Sequence, residues 1–320
     1  MPPPAQSPIR RQVCNALLMV RPKAFGYNSE TAQTNRFQHA AGADAAADVA
    51  ARALAEFDAF AAALASEGIP VCIAEDSAQP CKPDAVFPNN WVSFHADGTV
   101  VLYPMQCESR RLERRMEIVE TVRRETGYTA RRVVDLTHHE KEGRFLEGTG
   151  SLVLDHLDRV AYACLSPRTD AVVAAEWARE MGYELELFDA CDEAAVPIYH
   201  TNVAMSIGTR VAIVALGNIA AGDRERIAAR LRASGREIVA LDPAELHGFA
   251  GNMLEVGSWD EYLGDFRVLV MSRSARRALA PEKFTRLGGA VDSVLVAPID
   301  TIELHGGGSV RCMLAEVFLR

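Results

Sequence analysis

One short unit recurs along this chain and limits what it can fold into: an amphipathic helix, a glycine, then a strand. Asp44 to Glu67 is alanine-rich and carries Leu54, Phe57, Ala61 and Leu64 at helical spacing, followed by Gly68 and the strand-like Ile69 to Ala74. Leu112, Met116, Val119 and Val122 mark the next helix, with Gly127 before a strand over Tyr128 to Leu136. Asp170 to Met181 precedes Gly182 and Tyr183 to Phe188, and Asp223 to Ser234 precedes Gly235 and Arg236 to Leu241. Ser274 to Leu287, broken at Pro281, precedes Gly288 and Val291 to Val296. A glycine just past a helix takes the left-handed conformation that lets the chain turn. The glycines at 68, 127, 182, 235 and 288 give a period of about 55 residues, the mark of a repeat architecture.

Two strand runs stand before most of these helices: Trp91–His95 with Val100–Tyr103, Ser151–Asp155 with Val160–Leu165, Val203–Ile207 with Val211–Leu216, and Met253–Val256 with Phe266–Met271. Four units therefore read strand–strand–helix–strand, an α/β pattern. The fifth is split, its first strand at the C-terminus (Val310–Phe318) and its second at Ala16–Val20. A ring closed by the two chain ends accounts for the split and removes free sheet edges. Each first strand follows a polar or glycine-rich element: Phe87-Pro88-Asn89-Asn90, Leu146-Glu147-Gly148-Thr149-Gly150, Tyr199-His200-Thr201-Asn202, Phe249-Ala250-Gly251-Asn252 and His305-Gly306-Gly307-Gly308. In a ring these five elements converge on the axis. Cys312 then stands just after the glycine run, at a strand mouth where a nucleophile can meet a substrate.

The totals narrow the partners. Net charge is −9, from 34 basic and 43 acidic residues, and basic residues cluster only in short helical runs such as Arg110 to Arg115. Nucleic acid and anionic membranes are therefore excluded as expected partners in favour of a small metabolite. Seven scattered cysteines without a C-x-x-C pair indicate neither a disulfide framework nor a zinc module, and a reducing cytoplasm is expected. No segment reaches the ~18 apolar residues of a membrane span. Residues 1–12 read as a flexible tail and 13–320 as one domain. The polar stretch Lys23 to His39 reads as a surface loop rather than a lid.

Three other chemistries lack their parts. His138-His139-Glu140 is no H-E-x-x-H, and neighbours on a strand point apart, so no metal is expected. The His305-Gly306-Gly307-Gly308 run is like a lipase oxyanion turn, but the chain contains no G-x-S-x-G. Gly148-Thr149-Gly150 precedes a strand, not the helix that a phosphate loop requires.

With these motifs the chain resembles the amidinotransferase (pentein) superfamily over residues 13–320. Its nearest likeness is to bacterial citrulline-utilization hydrolases, through Met19-Val20-Arg21-Pro22, Phe87-Pro88-Asn89-Asn90-Trp91, Leu146 to Gly150 and Gly306 to Cys312. The resemblance implies a five-bladed α/β propeller of ββαβ units and a cofactor-free, cysteine-dependent hydrolase of C–N bonds. It places the nucleophile on Cys312, the histidine on His200 and the acid on Glu147. Two positions where relatives carry guanidinium-gripping aspartates hold amides here, Asn90 and Asn202. A guanidinium has only donors and suits carboxylates, whereas a neutral ureido group offers donors and an acceptor, as asparagine does. A citrulline-like substrate is therefore expected, with ornithine, ammonia and carbon dioxide as products. Arginine deiminase or dihydrolase, and dimethylarginine dimethylaminohydrolase, are the alternatives, and a non-catalytic pentein binding protein is the contrasting class. Arg311, Arg21, Asn35 and Gln38 are candidates for the amino-acid end of the substrate; Asn252 reads as satisfying backbone groups only. A homo-oligomer remains open.

Overall fold

The computed structural model describes residues 11–42, 46–260 and 264–318. Five units of one design appear. In each, two antiparallel strands are followed by a helix and a third strand that pairs parallel to the second. The central three-stranded cases are Leu152–Asp155, Val160–Cys164 and Glu184–Phe188, then Met205–Ile207, Val211–Val214 and Glu237–Ala240, then Leu254–Asp260, Gly264–Ser272 and Ser293–Ala297. The split unit is also present: Ala315–Val317 pairs antiparallel with Ala16–Arg21, which pairs parallel with Val71–Glu75. It joins the unit of Val92–Phe94, Thr99–Leu102 and Arg132–Asp135 through Val317 beside Phe94, making one six-stranded sheet.

The connecting helices follow the sequence pattern with local departures. Ala46–Ser66 buries Ala53, Phe57, Phe60, Ala61 and Leu64; its expected start at Asp44 lies outside the described residues. Full burial of Phe57 and Phe60 contributes about 1.5–3 kcal/mol each. Met116–Thr126 buries Ile118, Val119 and Val122, but Met116 is exposed and Leu112 lies outside the helix. The expected face was thus drawn one turn too far toward the N-terminus. Gly127 and Gly182 end their helices at φ 73° and 66°, a region that costs residues with a Cβ. Gly288 departs from this scheme, since it lies inside the helix Pro281–Gly289, which Ala290 ends. The predicted break at Pro281 falls between Arg273–Ala278 and Pro281–Gly289.

One consistent revision affects the site. The first strand of a unit does not start where its apolar run starts, because a helical turn comes first. Pro88–Asn90, Gly148–Ser151, Thr201–Ala204 and Val310–Met313 are such turns. The expected tail, 1–12, falls mostly on residues that are not described. Residues 1–10 lie outside the described part, but Gln12 is buried, donating to Leu154 O (2.9 Å) and Ile207 O (3.0 Å). Apolar clusters reach from one unit into its neighbour, as where Val101 and Tyr103 meet Leu152 and Trp177. Among the described residues no helix is long and apolar enough to cross a membrane.

Candidate active site

The helical turns bring distant residues together. Cys312, 1 % exposed, sits in the turn Val310–Met313 with Ser309 as its N-cap. His200 caps Thr201–Ala204, and Glu147 caps Gly148–Ser151. One small cavity is lined by Cys312, His200, Asn90, Asp84, Arg110, Arg168, Tyr199, Thr31, Asn35 and the glycines 306 to 308. Gly307 turns at φ 63°, and its carbonyl accepts from Tyr199 Oη (2.6 Å) and Asn35 Nδ2 (3.0 Å). A Cβ there would stand 2.5 Å from Asn35 Nδ2, so the turn has no room for a side chain.

His200 Nε2 lies 2.8 Å from Glu147 Oε2, both fully enclosed. The other Glu147 oxygen accepts from the Gln106 backbone at 3.0 Å. Burial alone would raise the Glu147 carboxyl, but Arg168, the His200 bond and Arg110 outweigh it and hold it at about 2. Burial pushes His200 down to about 4, against the pull of Glu147. Near neutral pH the pair is therefore a carboxylate and a neutral imidazole, with the Nε2 proton directed to the carboxylate.

Two amides touch the sulfur: Asn252 Nδ2 at 3.4 Å and Asn202 Nδ2 at 3.6 Å. Asn90 accepts from Arg110 Nη1 through Oδ1 (2.8 Å), which fixes its flip. Its Nδ2 is buried and has no partner. Asn90 thus offers the cavity an unused donor. Asp84 takes Asn28 Nδ2 and Thr31 Oγ1 on Oδ2, while its buried Oδ1 has no partner.

The remaining candidates divide. Asn35 lines the cavity. Gln38 is buried one bond away, accepting from Thr31 Oγ1. Arg21 pairs with Asp58 and Glu75 at the surface, away from the cavity. Arg311 turns away as well, to Leu314 O (2.8 Å) and Glu316 (2.6 Å), and lines a separate cavity with Gln12 and His156. Although adjacent on one helical turn, Arg311 and Cys312 thus point to different cavities. Asn252 does more than satisfy backbone groups, since it also touches sulfur. The stretch Lys23 to His39 is not a plain surface loop, because Thr31 and Asn35 form a wall of the cavity.

Sequence reading missed Asp84, Arg110 and Arg168. Arg110 looked like part of a solvated basic run, yet it is 2 % exposed and paired to Glu113; the i,i+3 pairing was its one visible signal. Arg168 is buried against Thr31 O, Thr34 Oγ1 and Glu147, and its chemistry shows only in three dimensions. His138 and His139 occupy a 3₁₀ turn, not a strand, and their rings stack at 4.1 Å. A nitrogen of each and an oxygen of Glu176 lie within 4.8 Å of one another, but His139 Nε2 is hydrogen-bonded to Glu176 (2.8 Å). Glu140 belongs elsewhere, paired with Arg114 and Arg111.

Fold and site together define a member of the pentein, or amidinotransferase, superfamily, whose members of this type are hydrolases of non-peptide C–N bonds. Within it, the family model for eukaryotic N,N dimethylarginine dimethylhydrolase matches residues 21–319, and the chain belongs to that family. Among solved structures it is similar to the N-terminal domain of ArgZ, a cyanobacterial arginine dihydrolase, in a cysteine-to-serine variant bound to substrate. The TM-score is 0.71 at 18% identity, over 95% of this chain and 98% of that one. AgrE with ornithine and NAD+ gives 0.72 at 20% identity, over 95% of this chain but 40% of AgrE. DDAH from Pseudomonas aeruginosa, with citrulline, gives 0.63 at 17% identity over 95% and 99%. This chain therefore spans nearly all of the ArgZ N-terminal domain and of DDAH, and less than half of full AgrE. No curated protein sequence matches it significantly.

Proposed function

We propose that the chain is a cysteine hydrolase converting citrulline to ornithine, ammonia and carbon dioxide. The observation that carries the substrate choice is the unpartnered Asn90 Nδ2 in the cavity wall, its orientation fixed by Arg110. A donor there matches a ureido carbonyl and mismatches a guanidinium, which has no acceptor. Asp84, also in the cavity wall, provides with its Oδ1 an acceptor for an α-ammonium, and the positive charge of Arg168 complements an α-carboxylate.

In this reading His200, neutral at rest, takes the Cys312 proton as sulfur attacks the ureido carbon. It then passes that proton to the departing nitrogen, and ammonia leaves. A thiocarbamate remains on Cys312. Water, deprotonated by His200, displaces the sulfur, and the freed carbamate loses carbon dioxide to give ornithine. Glu147 keeps the imidazole oriented and supports its charge when protonated. Residues 13–320 act as one catalytic domain, and the five units close into a five-bladed propeller. That closure is supported by the apolar clusters, which link each unit to the next, including the last unit (Val256, Val270) to the split one (Leu17, Phe57).

The test is incubation of the purified protein with citrulline, arginine, agmatine and methylated arginines, with ornithine, ammonia and methylamines assayed. Ornithine and ammonia from citrulline support the proposal. Dimethylamine release from dimethylarginine, with citrulline left intact, overturns it. A second reading, arginine carried through both hydrolyses, is favoured by the likeness to ArgZ and to AgrE, one of whose variants was solved with L-arginine; it predicts ornithine from arginine as well as from citrulline.

A further inference from the structure

We propose that Asn252 is a further catalytic residue, whose side-chain amide donates to the Cys312 sulfur and stabilises its negative charge at both chemical steps; this rests on the reading of Cys312 as nucleophile. Asn252 is fully buried, and every polar atom of its amide is committed. Nδ2 donates one hydrogen to Asn202 O at 3.0 Å, and Oδ1 accepts from the Arg311 backbone N–H at 3.0 Å. Those two partners have opposite polarity, so the amide cannot be flipped without losing both. The second Nδ2 hydrogen is thereby directed at Cys312 Sγ, 3.4 Å away. The same side chain therefore touches the nucleophile's sulfur and also holds the backbone N–H of the residue before it.

The backbone supports this placement. Phe249, three residues earlier, holds φ 62°, a conformation costly for a residue with a large side chain, and its carbonyl accepts from Asn252 N (2.9 Å). A strained turn is thus maintained where it aims an amide at the sulfur. A neutral donor suits a nucleophile that must also leave. It steadies the anion without the strong stabilisation of a full cationic partner, which lowers thiolate nucleophilicity. In the second step the water oxygen bonds to the carbonyl carbon, the C–S bond breaks, and its electron pair returns to sulfur. The Asn252 donor meets that returning charge, while His200 holds the proton from water.

Two substitutions separate gripping from charge stabilisation. Asn252→Asp keeps an acceptor for Arg311 N–H but removes the donor to sulfur; Asn252→Ala removes both. The expected result is a fall in kcat of about 10²–10³-fold in each, with KM changed less than about threefold. Alkylation of the Cys312-containing peptide by iodoacetamide, followed by mass spectrometry, should slow. Asn252→Ser, which retains a donor hydroxyl and no charge, serves where the other two fail to fold, and should keep an intermediate rate. A folded Ala or Ser variant with wild-type kcat and alkylation rate overturns the inference. Cys312→Ser is run alongside: if it is inactive while the Asn252 variants are unaffected, this inference alone fails. If Cys312→Ser retains turnover, the nucleophile assignment falls and this proposal falls with it.

Discussion

The proposed chemistry depends on which way each amide is turned. Asn90 and Asn252 are the same residue type, yet one is oriented by a guanidinium and the other by a backbone N–H. Both consequently present donors, where aspartates would present acceptors only. Asn90→Asp should therefore reverse the preference: citrulline turnover falls by about 10-fold or more, and binding of an arginine-type cation improves, measured as kcat/KM on the two substrates. Glu147→Gln keeps the shape beside His200 and removes the charge. It should lower kcat by about 10²–10⁴-fold and leave the thermal midpoint within a few degrees, read by steady-state kinetics beside calorimetry. Cysteine, histidine and glutamate were legible in the sequence because each belongs to a distinctive motif. Arg110, Arg168 and Asp84 were not, because an arginine in a basic run looks the same whether its guanidinium meets water or Glu113.

Between single residues and the assembled fold, short helical turns set the geometry. An apolar run such as Val203–Ile207 shows where a strand lies but not that its first residues coil into Thr201–Ala204. The turn costs no hydrophobic pattern, since its residues are buried in either conformation. It matters because His200 and Glu147 become N-cap residues, and from there their side chains meet at 2.8 Å. The segment from Lys23 to His39 is the second case. It is bound to site residues by Asn28 and Thr31 to Asp84, Thr34 to Arg168 and Asn35 to Gly307. The cavity beneath it is about 10 Å³, space for roughly one water, less than an amino acid fills. Thr34→Val removes two bonds to Arg168 and should raise KM several-fold with a smaller change in kcat, together with faster proteolysis near residue 34. Gly307→Ala places a methyl against Asn35 at a left-handed φ; it should lower stability by about 1 kcal/mol or more and depress activity, checked by denaturant unfolding and turnover.

The assembled protein carries its titratable burdens in separate units. His95 and His200 are both buried, and burial drives them to about 3 and about 4. Below pH 6.5 the unfolded chain takes up protons that these native imidazoles refuse, so stability falls as pH falls from about 6.5 toward 4. Each contributes a loss of about 2 kcal/mol by pH 5. A series of thermal midpoints from pH 8 to 4.5 should fall over that window, since His156, lowered to about 3, adds to the loss, and His95→Gln, outside the site, should lessen the slope. A midpoint independent of pH there would refute the buried-neutral assignment.

Periodicity alone was enough to reveal the repeat, the split unit and the pairing of both chain ends in one sheet. Helix and strand spacing are local properties, and each unit repeats them. The glycine–cysteine run, the isolated histidine and the isolated glutamate were likewise visible as motifs. Which atoms meet was settled in three dimensions. Arg311 and Cys312 are adjacent in the chain and serve different cavities, while Asn252 and Cys312, sixty residues apart, are in contact. The physical reason is that burial and hydrogen-bond partners come from other units. Only packing decides whether an arginine is solvated or enclosed, which way an amide faces, and whether a carboxyl is held ionised.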